Sequence, residues 1–515
     1  MKGDMASPVI NQPGSLLPSR KWVVWVILVF LFGLGALIRF YDLTDAPLDF
    51  HPTRQLHSAL IARGMAAQAS DLYPAEQAEI AIQQWKLEGL IEPPIMERLT
   101  AFTYLALGRE VLWAARIYAI LFWLLGGVGL YLLVKELKGI DAAIIALIFY
   151  LFLPYSALAS RAFQPDPLLV CSIIWAWWAA VKWARNSSWK WTVVAGLLAG
   201  FAIFVKSTAV FFLLGAYIGL VLFGKGIRFT IKDKRTWLLV LLAVLPYAAF
   251  HIYGVYITGQ LASQFSLRFF PQLWLQPAFY LQWIGQVNGT VGFPFFLAAI
   301  LGIFLLPEKS HRAMLAGVLL GYFLYGMTFT HHITTHDYYH LPLVPLVAAG
   351  VGIALSTLAR QLLGPKWLAR LILVAVLLGW IGVNAWDVRV TLKRNDYRPE
   401  AAIWKELGET LGQGTPVVGL LHDYGYRLEY WGWVTPSVWF TSGDLRYREL
   451  AGQTFDFDTL FIETTAGKQY FVVTLFGEYD SQPELKAKLE KGYPVYKQAG
   501  DYLIFDLMHP LMEQQ

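Results

Sequence analysis

Ten histidines occur in the chain, and four of them fall within one short stretch, HHITTHDYYH (331–340). These are His331, His332, His336 and His340, with Asp337, Tyr338 and Tyr339 between them. Two more, His51 and His57, lie in LDFHPTRQLHS (48–58), beside Asp49. Imidazoles and carboxylates in such density suit proton transfer or a divalent metal. The metal candidates are His51, His336 and Asp337, although their spacing matches no HExxH or comparable ligand pattern. A third cluster holds Ser160, Arg161, Asp166 and Pro167, and Lys206 stands in FVKST (204–208).

The rest of the chain must explain why these polar groups meet. Of 515 residues, 57% are apolar and only 15% charged, against about 25% charged in soluble domains. A soluble globule, a disordered chain and a fibrous repeat are excluded. The composition requires a polytopic membrane protein. A span needs roughly 17–25 apolar residues. Such runs occur near 22–40, 113–133, 141–158, 167–183, 191–205, 208–224, 236–256, 291–307, 312–329, 340–358 and 367–386. The expected class is an α-helical membrane protein of about eleven spans.

Lysine and arginine mark the cytoplasmic side. One set of connections carries Lys182, Arg185 and Lys190, then Lys225, Arg228, Lys232, Lys234 and Arg235. After the first loop, the opposite set carries only Arg161, Lys206 and Arg268. The N-terminus is then cytoplasmic and the chain after 386 extracytoplasmic, in the plasma membrane. The apolar run 191–224 is too long for one span and has basic flanks, so it forms a hairpin with Lys206 at its outer tip. The positive-inside rule does not account for that lysine.

Carboxylates near a bilayer are costly, so their positions are informative. The acids between 142 and 386 are Asp166, Asp233, Glu308 and Asp337. Asp233 and Glu308 fall in cytoplasmic loops. Asp166 and Asp337 fall at outer span ends, on the same face as Asp49, Arg161, Lys206 and six of the histidines. Each has a plainer reading. Asp166 suits the cap of a helix opening at Pro167, and Arg161 and Lys206 suit snorkelling to headgroups. Tyr338 and Tyr339 suit an interfacial aromatic belt, and Asp49 an ordinary loop acid.

Two segments lie outside the spans. The first loop, about 41–112, contains amphipathic stretches such as 54–65, which read as interfacial helices. The segment 390–515 is net acidic, whereas 1–389 is net basic. It alternates helical patterns (398–411, 482–491) with β-like runs at 416–421, 458–462, 470–475 and 502–507, suggesting a C-terminal α/β domain. Residues 1–20 read as a disordered cytoplasmic tail and 21–389 as the membrane domain. No P-loop or GxGxxG occurs, and the basic excess follows from topology, so no nucleic acid is implied. The single cysteine, Cys171, allows no intrachain disulfide.

In this order the features resemble the GT-C membrane glycosyltransferases, especially the family 39 branch. That branch includes dolichyl-phosphate-mannose-protein mannosyltransferases and is similar to the lipid A aminoarabinose transferases. The resemblance spans roughly 20–390. It rests on Asp49 early in a long outer loop, the proline pair in IEPPIMERLTAFTYLALG (91–108), and Ala115-Arg116 opening the second span. It continues with Ser160-Arg161 and Asp166-Pro167, Lys206 at a hairpin tip, and Tyr339-His340-Leu341-Pro342 opening a late span. Two departures stand out: Phe50 and His51 follow Asp49 where relatives often have an Asp-Glu pair, and Glu92 stands where some place a basic residue.

The resemblance implies a GT-C-like fold and an inverting glycosyl transfer. The donor would be a polyprenyl-phosphate-linked sugar, and the acceptor a hydroxyl on a lipid, glycan or protein at the outer face, with surrounding membrane lipid as the other partner. Asp49 is the implied base, with Asp166 as orienter or second base. Lys206, Arg161, Tyr339 and His340 would face the donor phosphate, and a divalent metal is a conceivable cofactor. The alternative is a transporter or lipid flippase with an outer accessory domain. Transporters, however, place their charges near the midplane and often show related halves, whereas these acids sit at span ends.

Overall fold

The computed structural model describes residues 16, 20–259, 261, 268–363 and 367–511. The expectation for residues 1–20 therefore falls, Leu16 and Arg20 apart, outside the described residues. The chain is mainly helical. It opens with α1 (Lys21–Phe40), followed by the first-loop helices α2 (Pro52–Ala69), α3 (Ala75–Leu87) and α4 (Ile95–Leu107). Next come α5 (Trp113–Leu137), α6 (Ile140–Phe152), α7 (Pro154–Ala159), α8 (Asp166–Arg185), α9 (Trp189–Val205) and α10 (Ala209–Leu220). The second half contributes α11 (Ile227–Lys232), α12 (Lys234–Ile252), α13 (Pro277–Val291), α14 (Phe293–Phe304), α15 (Lys309–Thr328), α16 (Thr330–Thr335), α17 (Leu343–Leu363) and α18 (Trp367–Arg394).

Among the described residues, six helices are long and apolar enough to cross a membrane: Lys21–Phe40, Trp113–Leu137, Asp166–Arg185, Lys234–Ile257, Leu343–Leu362 and Arg370–Arg394. A seventh is counted if α13 and α14 form one broken span; they meet at 86°. The break falls at Gly292, whose φ of +79° suits a residue without a Cβ. Shorter apolar helices, Ile140–Phe152, Trp189–Val205 and Ala209–Lys225, fill the remaining gaps.

Small residues let these helices approach closely, as packing without a hydrophobic drive requires. A Cβ on Gly215 of α10 would sit 2.0 Å from the Gly317 carbonyl oxygen of α15. One on Gly302 of α14 would sit 1.9 Å from the Gly350 carbonyl oxygen of α17. Trp25 and Leu37 on α1, Leu241 and Val244 on α12, and Val376 and Val383 on α18 instead point outward and are exposed. An apolar surface of that kind belongs against lipid tails.

The first loop differs from its interfacial reading. From Gln55 to Ala67, α2 is almost continuously buried within the protein, because α3, α4 and the C-terminal segment cover it.

Residues 400–506 build a five-stranded sheet with flanking helices. The strands are β1 (Val417–Leu420), β2 (Ser437–Val438), β3 (Tyr470–Val473), β4 (Val495–Gln498) and β5 (Leu503–Asp506), in the order β2-β1-β3-β5-β4. β2, β1 and β3 run parallel, while β3, β5 and β4 run antiparallel. Every residue of β1 and β3 is buried, as expected for central strands covered on both faces. Val417, Val472 and Ile504 pack with Trp404 and Leu407 on one side; Val418, Phe471 and Phe505 pack with Trp439 and Phe461 on the other. Residues 458–462, expected as a strand, are instead part of the helix Phe457–Thr465. Asp456 caps it by accepting from the Thr459 backbone N–H at 2.9 Å.

The C-terminal segment is anchored on α2. Arg63 is buried and donates to the carbonyl oxygens of Tyr430 (2.6 Å) and Glu429 (3.0 Å) and to Gln84 Oε1 (2.7 Å). Its guanidinium also lies 4.0 Å from the Trp433 ring centroid.

Candidate active site

Asp49 lies at the end of the turn that follows α1, and its side chain is only 7% exposed. Its carboxylate accepts from Arg116 Nη2 at 2.9 Å and lies 3.5 Å from Arg161 Nε. Arg116 also donates to the carbonyl oxygens of Leu43 and Ala46, and Arg161 to those of Tyr41 and Asp42. Two buried guanidinium groups thus clamp the 41–49 turn, with Asp49 as their counter-charge. Arg161 is 0% exposed. The carbonyl oxygens of this turn occupy its fork.

Lys206 stands where α9 ends. Its extended backbone lets the chain turn into α10. Nζ lies 3.0 Å from Asp166 Oδ1 and 3.6 Å from Glu92 Oε1, above the rings of Tyr338 (5.4 Å) and Tyr339 (5.9 Å). Asp166 opens α8 just after the N-cap Pro165. Among the described residues its Oδ1 accepts from Lys206 and its buried Oδ2 has no partner. The plainer capping reading is therefore not what its side chain does.

Glu92, noted above only as a departure, completes this group. Arg54 Nη2 reaches both its oxygens, at 3.0 and 3.2 Å. Burial alone would raise the Glu92 pKa, but Arg54 and Lys206 outweigh it and hold the carboxyl at about 2. Two cations and two anions are thus interleaved. Behind them His57 Nε2 lies 3.3 Å from Glu88 Oε2. Burial, with Arg54 nearby, lowers His57 to about 4, and burial raises Glu88 to about 7. That contact therefore involves a neutral imidazole.

Arg54, His57, Glu88 and Glu92 line a cleft of about 610 Å³, as do Phe204, Phe250 and Tyr253. A lining with both charged and apolar groups suits a molecule with a polar head and a hydrocarbon tail.

His51 sits just before α2 with φ +47°, a left-handed conformation that costs a non-glycine residue about 1–3 kcal/mol. Its Nε2 lies 2.5 Å from Asp337 Oδ1. The edges of Phe50 and Tyr338 contact its ring, both at 4.8 Å between centroids. His336 is 6.4 Å away between centroids and bonds Thr335 Oγ1 through Nδ1. His51, His336 and Asp337 are therefore close, but no group of three or more His, Cys, Asp or Glu positioned to hold a metal occurs among the described residues.

Tyr339 is buried and stacks on Tyr325. His340 is wholly buried, with Nδ1 2.7 Å from Tyr322 Oη and Nε2 2.8 Å from the Ile333 carbonyl oxygen. Both ring nitrogens are thereby occupied. His340 thus ties α15 to the 333–340 turn.

Residues 92–253 match the family described as dolichyl-phosphate-mannose-protein mannosyltransferase. No curated protein matches the chain by sequence. Among solved structures, ArnT from Cupriavidus metallidurans bound to undecaprenyl phosphate is similar, with a TM-score of 0.58 and 16% identity over 93% of this chain and 97% of that one. The Archaeoglobus fulgidus oligosaccharyltransferase in its apo form gives a TM-score of 0.56 and 12% identity over 93% of this chain and 73% of that one. The same organism's AglB, in complex with an inhibitory peptide and a dolichol-phosphate, gives 0.53 and 12% over 96% and 75%. The motifs quoted from the sequence and these likenesses agree: the chain has the fold of a GT-C membrane glycosyltransferase.

Proposed function

We propose that this protein is a membrane glycosyltransferase that moves a sugar from a polyprenyl monophosphate carrier to an acceptor hydroxyl at the outer face, inverting the anomeric centre. The observation that carries this reading is the cleft, whose lining has both paired charges and aromatic side chains. The charges suit a sugar-phosphate and the aromatic side chains suit the first isoprene units. ArnT, of similar fold, was solved with undecaprenyl phosphate bound.

In this reading the leaving phosphate gains charge as the glycosidic bond breaks, and fixed cations lower that barrier. Lys206 and Arg54 supply them. Asp166 and Glu92 hold both cations in place before the donor arrives, so little reorganisation is needed. Tyr339 supports Lys206 from below. Arg161, Arg116 and Asp49 brace the turn that leads to His51, and His340 braces the 333–340 turn. Residues 21–389, with about eleven crossings, form the catalytic domain, and the sheet-containing segment within 390–515 covers it from outside. The basic connections support a cytoplasmic N-terminus.

The test is incubation of the protein in nanodiscs with a panel of radiolabelled polyprenyl-phosphate sugars. Consumption of one donor, lost in Lys206→Ala, is the expected result. No consumption of any donor by folded protein would refute the reading and return weight to transport.

A further inference from the structure

Asp49, the carboxylate implied as base, is spent on two guanidinium groups. Asp166 is 4% exposed and bound to Lys206. Glu92 is held ionised by Arg54 and Lys206, which makes it a poor proton acceptor. None of the three is a free base. One group on this face is. We propose that His51 is the general base of the transfer and that Asp337 is its positioning residue. This rests on the glycosyltransferase reading above.

A carboxylate only accepts, so the His51 nitrogen 2.5 Å from Asp337 Oδ1 carries the hydrogen. That leaves Nδ1 as the acceptor, with no hydrogen-bond partner among the described residues. The side chain is 28% exposed, far more open than Asp49 or Asp166. Phe50 and Tyr338 fix the ring plane. The other charged or titratable groups facing it are Asp337 and His336, and burial keeps His336 neutral, at about 4. His51 also precedes α2 by one residue, about one turn from Arg54. The base and the phosphate-facing cation are thus set by the same helix end. The strained backbone of His51 fits this, since strain persists where surrounding structure enforces a functional geometry.

The acceptor O–H bond breaks and its proton moves to His51 Nδ1. The acceptor oxygen pair forms a bond to sugar C1 while the bond from C1 to the phosphate oxygen breaks. The bonding pair leaves on the lipid phosphate, beside Lys206 and Arg54. Asp337 stabilises the imidazolium until its proton passes to solvent.

The decisive variant is His51→Gly. Glycine adopts a φ of +47° freely, so the turn is kept while the base is removed. Donor turnover should fall by about 10²–10⁴-fold, with binding of undecaprenyl phosphate unchanged. Added imidazole should restore part of the turnover. Asp337→Asn should lower kcat with similar lipid-phosphate binding and without imidazole rescue. Near-wild-type turnover in His51→Gly, or a loss that imidazole does not restore in a folded, lipid-binding variant, would overturn the assignment and shift it to Asp166. If the wild type consumes no donor, the glycosyltransferase reading itself falls and the assignment with it.

Discussion

The contact between the first loop and the C-terminal segment should loosen as pH rises. Glu88 accepts from the Tyr426 hydroxyl at 2.8 Å, and Glu429 lies in the same buried region next to the Arg63 anchor. Burial lifts Glu88 from 4.5 to about 7, and burial together with the Glu88 charge lifts Glu429 from 4.5 to about 8. Both carboxyls thus hold a proton more tightly when docked than in the open chain. The stability they contribute is complete below pH 4.5 and is lost as pH rises through about 7 and 8. At about 1.4 kcal/mol per pH unit, Glu88 accounts for about 3 kcal/mol and Glu429 for about 5. Hydrogen–deuterium exchange of nanodisc-embedded protein at pH 5.5 and 8.5, corrected for intrinsic rates, reads this directly. Peptides covering 54–69 and 426–433 should lose protection at the higher pH, and Glu88→Gln with Glu429→Gln should remove the dependence. Equal protection at both values in the wild type would refute the reasoning.

Other changes separate framework from chemistry. Arg63→Met removes three hydrogen bonds of a buried cation, each worth about 1.5–3 kcal/mol; thermal unfolding should show the C-terminal segment released first, with a loss of about 4.5–9 kcal/mol. Asp49→Asn leaves two buried guanidinium groups without their counter-charge, so stability should drop by about 3–5 kcal/mol, measurable as a lower unfolding temperature. Lys206→Ala should lower donor turnover by about 10²–10³-fold, with Lys206→Arg recovering part of it in the same radiolabel assay. Gly215→Val should force α10 and α15 apart, which cross-linking between the two helices would register as a loss of yield.

Much of this was readable in the residues. The apolar runs at 416–421, 470–475 and 502–507 became β1, β3 and β5 because buried central strands need no alternation. The run at 458–462 did not, since Asp456 with Thr459 is a helix-start signal that apolar composition alone hides. The cluster around Lys206 and His51 was legible because carboxylates and lysines are rare in apolar sequence. Its pairings were not. Glu92 meets Arg54 across 38 residues, and Asp49 meets Arg116 across 67, so only the fold shows that Asp49 is neutralised and His51 is open. The burial of α2 was equally hidden, because part of its cover comes from residues near 430.

The spacing of these partners has a consequence for biogenesis. Arg161 closes on the carbonyl oxygen of Asp42 from 119 residues downstream, and Asp337 reaches His51 from 286. A ribosome delivering this chain to the membrane exposes the outer turn long before either partner exists. The turn is first pinned when Arg116 emerges, then held again by Arg161, and His51 acquires its partner only after the late helices have inserted. On the proposed reading, a nascent or truncated chain that ends before Asp337 carries no complete proton-transfer pair.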